Sequence, residues 1–199
     1  MAKVTVTPEE FTMVRFDSAR IRDLTSAVAD AVGLPNDLEL RIEVDEQSPL
    51  GRTRVTSFDP VTITTESGAF EDPKRIRDLS DSNVQDVLGR LLMRVCDRLD
   101  PAFGDPPADK ELSVQQHTAW DAYAVGRCDR LGLPTQRQRR LYHFRIRHGF
   151  TDASDHVFNR LWSAEGLTWA DLVAASEEAA ASRPAAPAKG RAKAAQGRT

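Results

Sequence analysis

The densest run of chemically capable side chains is Arg137-Gln-Arg139-Arg140-Leu-Tyr142-His143-Phe144-Arg145-Ile-Arg147-His148. A guanidinium presents a planar fork of donors that matches carboxylate and phosphate oxygens, and it stacks on aromatic faces and nucleobases. Arginine interleaved with tyrosine and histidine therefore suits an anionic ligand, a nucleic acid or an acidic protein partner. The candidate anion- or partner-binding set is Arg137, Arg139, Arg140, Tyr142, His143, Arg145, Arg147 and His148. A rival reading makes these arginines a clamp, holding an acidic first half of the chain to the second by charge pairing. Two local conformations compete as well. A helix gathers Arg137, Arg140, Phe144 and His148 near one face, whereas a strand sets Tyr142, Phe144 and Ile146 opposite His143, Arg145 and Arg147.

Catalysis is the alternative from another class. His143, His148 and His156 lie close in sequence to Asp152 and Asp155, and a histidine beside a carboxylate is a common proton-transfer pair near neutral pH. Those aspartates, with Thr151, also have the look of helix caps, which need no catalytic role. A stable zinc site wants three or four ligands converging at about 2 Å, and no His-x-x-x-His or Glu-plus-His repeat enforces that, so neither metal nor cofactor is expected. His117 is expected to hydrogen-bond Asp121 one helical turn on. No serine stands in a Gly-x-Ser-x-Gly context, and Cys96 and Cys128 read as small core residues of a reducing compartment. The catalytic residues of any such enzyme stay unassigned.

The elements that position these residues follow from periodicity. Leu38, Leu40, Ile42 and Val44 alternate with charged residues as a half-buried strand does, Val61 and Ile63 repeat the pattern, and residues 52–58 supply a strand between them. Before this sheet, Ser18 caps a helix with Ile21, Leu24, Val28 and Val32 in one stripe, stopped at Gly33. After it, Ser80 or Ser82 opens a helix carrying Val84, Val87, Leu88, Leu91, Leu92, Val95 and Leu99 on one face. That stripe must be covered, and laying it on the sheet is the simple solution. Four helices should follow. The first has a Ser113/Gln116 capping box and a His117, Trp120, Ala124, Cys128, Leu131 stripe, and the last is capped by Thr168 and Asp171.

The expected fold class is α+β: a small sheet of three to four strands packed by two helices, followed by a cluster of about four helices and a disordered tail. The corresponding units are 1–104 (α+β), 105–112 (connection), 113–182 (helical) and 183–199 (disordered basic tail). A helix, a short sheet with an edge strand and then a long helix is similar to the plan of minimal zincin-like domains, in which the second helix carries His-Glu-x-x-His. Here that helix reads Asp86-Val-Leu-Gly-Arg-Leu-Leu-Met. Over roughly 80 residues the resemblance thus implies a metal-free zincin-like domain without peptidase activity. A helix-turn-helix reading fails, because Trp162 falls where a small residue is needed and the following helix carries Asp171, Glu177 and Glu178.

Charge narrows the partner classes. Residues 1–182 hold 22 basic against 30 acidic side chains, and residues 183–199 hold five basic and none acidic. Nucleic-acid binders usually present a basic domain, so nucleic acid is the weaker expectation beside an acidic protein or a small anion. No apolar run is long enough to span a bilayer and the polar first residues lack a signal-peptide core, so a soluble, cytoplasmic protein is expected, with no membrane partner. Function is expected to be binding, through the Arg/His/aromatic face of the second half.

Overall fold

The four-stranded sheet has the order β1-β2-β4-β3 in this computed structural model, which describes residues 2–181. The strands are β1 (Lys3–Thr7), β2 (Glu39–Asp45), β3 (Thr53–Phe58) and β4 (Val61–Glu66). β1, β2 and β4 run parallel, with Leu40 opposite both Val4 and Val61, and β3 closes an antiparallel hairpin on β4. Parallel neighbours need a crossover, and α1 (Ser18–Val32) supplies the one between β1 and β2. β1 alternates Val4 and Val6 inward with Lys3, Thr5 and Thr7 outward, a pattern short enough to escape notice in the sequence. A minor pair, β5 (Glu71–Asp72) and β6 (Arg75–Leu79), precedes α2 (Asp81–Leu99).

Only one face of the sheet is dry. Val4, Val6, Leu40, Ile42, Val44, Val61 and Ile63 are buried there against Ile21, Leu24 and Val28 of α1 and Val84, Leu88, Leu91, Leu92 and Val95 of α2. The apolar stripe predicted for α2 is covered as expected except at its end, where Leu99 is exposed. Asp17, rather than Ser18, caps α1 by accepting from the Ala19 amide, and Gly33 ends it in the left-handed region, at φ 80°. Ser80 caps α2 through the Asn83 amide.

The remaining helices are α3 (Val114–Arg130), α4 (Arg137–His148), α5 (Asp152–Ser163) and α6 (Trp169–Ala181). They share a second apolar cluster centred on Trp120, Tyr123, Phe144, Phe158, Leu161 and Leu172. The Ser113/Gln116 capping box is formed as read, Thr151 caps α5, and Thr168 exchanges hydrogen bonds with Asp171. α3 and α5 touch backbone to backbone at Gly126, where an added Cβ would fall 2.1 Å from the Trp162 carbonyl oxygen. Phe103, in the segment after α2, is buried and stacks on Trp120 with centroids 5.3 Å apart, so the chain between the two cores is packed. The tail expected at 183–199 lies outside the described residues.

Candidate functional site

The arginine-rich segment is a single helix, α4, and this overturns the strand alternative. Its inner face holds Phe144 and His148, both fully buried. A helix rotates each residue 100°, so adjacent arginines point in different directions and meet different fates.

Arg140 turns inward. Its Nη2 donates to Asp86 of α2 at 3.0 Å and its Nη1 lies 3.9 Å from Asp121 of α3. Asp86 is 3 % exposed. Asp121 also receives Arg90 at 3.3 Å and Arg94 at 3.4 Å. Burial alone would push the Asp121 carboxyl up, but Arg90, Arg94 and Arg140 outweigh it and hold the pKa at about 2. Arg94, 5 % exposed, also reaches Asp109 at 3.0 Å and lies over the Trp120 ring. Arg98 donates to Asp109 at 2.7 Å and to the Pro106 and Pro107 carbonyls, tying down the segment between α2 and α3. Asp97 accepts from both Arg127 and the Trp120 indole at 2.6 Å. Charge pairing does join the first half to the second, but most of it comes from Arg90, Arg94 and Arg98 of α2, which the sequence reading passed over. Their spacing of four residues, one helical turn each, was the visible signal.

Several candidate residues are spent on structure. Arg145 pairs with Asp155 one helix away. Arg137 donates to Asn159 at 2.6 Å and lies over Phe158 and Trp162. His148 is sealed between Phe144, on which it stacks at 3.9 Å, and Ser176 of α6, 3.0 Å from Nε2, so it is no surface contact. Burial lowers its pKa, which keeps the ring neutral. His117 reaches the Asp109 carbonyl at 2.9 Å, with Arg94 3.5 Å from its other nitrogen, and not the expected hydrogen bond to Asp121. Thr151, not Asp152, caps α5, and Asp155 is taken up by Arg145. The three histidines do not converge, and no group of three metal-binding side chains occurs among the described residues.

What is left faces water. Arg139, Tyr142, His143, Ile146 and Arg147 form the outer face of α4, and Phe150 continues it just beyond the helix end. Tyr142 is 56 %, Ile146 41 % and Phe150 65 % exposed, and the Tyr142 and Phe150 rings meet edge to face, 6.1 Å apart. Among the described residues, Arg139 has only a long contact with its neighbour Gln136, at 3.5 Å. Burial, then the charges of Arg139 and Arg140, lowers the His143 pKa. The candidate set therefore divides: Arg137, Arg140, Arg145 and His148 support the fold, and Arg139, Tyr142, His143 and Arg147 remain available. Ile146 and Phe150 belong with the second group.

No family model, no curated protein and no solved structure matches this chain. The site must therefore be read from its own chemistry.

Proposed function

We propose that the protein is a binding module whose outer α4 face docks an acidic segment of a protein partner. One observation carries this reading: Tyr142, Ile146 and Phe150, three large exposed apolar side chains spaced four residues apart, run alongside a row of Arg139, His143 and Arg147. An exposed apolar patch with a charged rim is the usual form of a protein-binding surface, and aromatic and arginine residues dominate the energy of such contacts. The rim is cationic, which selects an acidic partner. Nucleic acid fits less well, because residues 1–182 carry an excess of eight acidic side chains and would repel an extended polyanion. A cytoplasmic setting belongs to the same reading. Cys96 and Cys128 are free thiols, with pKa values pushed by burial to about 11 and about 12, and they persist as core residues where disulfides are not formed. No described helix is long and apolar enough to cross a membrane.

The test is fluorescence anisotropy with a labelled amphipathic Glu/Leu peptide, its Lys/Leu counterpart and a single-stranded oligouridine. The acidic peptide should bind, the basic one should not, and Tyr142→Ala and Phe150→Ala should each cost about 2 kcal/mol of binding with an unchanged Tm. Oligouridine binding tighter than the acidic peptide, or acidic-peptide binding indifferent to Tyr142 and Phe150, would refute the reading.

A further inference from the structure

Beside this face, the edge of the sheet at β3, the N-terminal half of α2 and the first turns of α4 enclose a polar recess of about 220 Å³. Its charged lining comes from three helices: Asp86 and Arg90 from α2, Asp121 from α3, and Arg139, Arg140 and His143 from α4. Three guanidinium groups against two carboxylates leave a formal charge of +1 before His143 is counted. The hydrogen-bonding capacity is incompletely used. Arg139 holds only its long contact to Gln136, and neither ring nitrogen of His143 has a hydrogen bond among the described residues. In the walls, Nε of Arg90, Nε of Arg140 and Oδ1 of Asp86 are buried without a partner. Buried polar groups are normally paired, and leaving one unpaired costs about 1–3 kcal/mol. These three atoms are closed to water.

The charge and the mixed donors and acceptor define what fits. A cationic ligand meets three guanidinium groups. A phosphate dianion has to sit against Asp86 and Asp121 with only a single net positive charge to offset it. A monoanion with a hydrogen-bond donor of its own satisfies both signs. We propose that the recess binds a small monocarboxylate bearing a hydroxyl group, with the carboxylate on Arg139 and His143 at the mouth and the donor turned toward Asp86 and Asp121. Its volume lies below the roughly 300–1,000 Å³ of pockets for drug-sized ligands, in keeping with a ligand of a few heavy atoms. The site goes beyond the partner-docking face: Arg139 and His143 border both, but Tyr142 and Phe150 belong only to the face.

The experiment is an NMR titration of the full-length protein with glycolate, propionate and inorganic phosphate, following the His143 ring proton, assigned with His143→Gln. Propionate matches glycolate in charge and size and lacks the hydroxyl. Glycolate should saturate at millimolar concentration and raise the His143 pKa by about one unit, because its carboxylate offsets the neighbouring arginines. Propionate and phosphate should each bind several-fold more weakly. Arg139→Gln, at an exposed position, should weaken glycolate about tenfold with Tm unchanged, a loss of about 1.4 kcal/mol. Tyr142→Ala should leave glycolate binding as it is, which separates this site from the partner face. The proposal is overturned by an unmoved His143 at about 50 mM glycolate, by phosphate binding more tightly than glycolate, or by Arg139→Gln binding glycolate like the parent.

Discussion

Arg140 and Arg139 are adjacent in sequence and opposite in consequence. Arg140 lies against Asp86 and Asp121, in a network that Arg90, Arg94 and Arg98 extend along α2, while Arg139 faces water with one long polar contact. The network joins α2 to α3 and α4 across the boundary between two apolar clusters, where Met93, Ala124 and Cys128 form only a small apolar patch of their own. Ion pairs there specify how the two cores meet. On the outer face of α4 no acidic side chain among the described residues pairs with Arg139 or Arg147. An arginine's role is set by what the fold places opposite it, since residue type and local helix are the same.

The larger effects belong to the buried side. Asp121→Asn should cost about 3–5 kcal/mol in urea unfolding, because it strands Arg90, Arg94 and Arg140 without their shared anion. An intermediate case is Arg145→Ala. Its pair with Asp155 is about one-third exposed on each side, so the loss should be small beside that of Asp121→Asn. Stability should also depend on pH through His148, whose folded pKa is lowered by burial. The unfolded chain takes up a proton near pH 6.5 and the folded one resists it. Stability should therefore be intact above about pH 6.5 and fall by up to about 1.4 kcal/mol per unit as the pH drops toward the folded value. His148→Asn should make that limb shallower between about pH 6.5 and 5, leaving the contribution of His143, whose pKa is also lowered. The smallest effect belongs to the exposed side: Arg139→Ala and Arg147→Ala, singly or together, should change stability by no more than about 0.5 kcal/mol.

Much of the fold was legible because it is decided locally. The Ser80, Ser113/Gln116, Thr151 and Thr168/Asp171 caps each depend on side chains within three residues of the amides they satisfy, and all four are present. The α1 and α2 stripes were visible as single helical faces for the same reason. β1 was not, since its alternation spans five residues and its parallel partner begins at Glu39, beyond an intervening helix. The candidate site was half legible. Composition pointed to α4, but which residues turn inward depended on Asp86, Asp121, Asp155 and Ser176, all on other elements. The α2 arginines were missed because their acceptors, Asp109 and Asp121, come within reach only when α3 docks. His117 went to a carbonyl rather than to Asp121 because the arginines had already claimed that carboxylate.

Arg140 acts as a structural clamp, whereas Arg139 and Arg147 of the same helix face water. A double-mutant cycle on Asp86→Ala and Arg140→Ala, read by urea unfolding, measures that clamp. Each single change should destabilise the protein by about 3 kcal/mol, and the pair should show a coupling of about 1.5–3 kcal/mol, because removing both partners strands fewer charges than removing either alone. A coupling below about 0.5 kcal/mol, with Arg140→Ala as stable as Arg139→Ala, would contradict the account and return Arg140 to the binding surface.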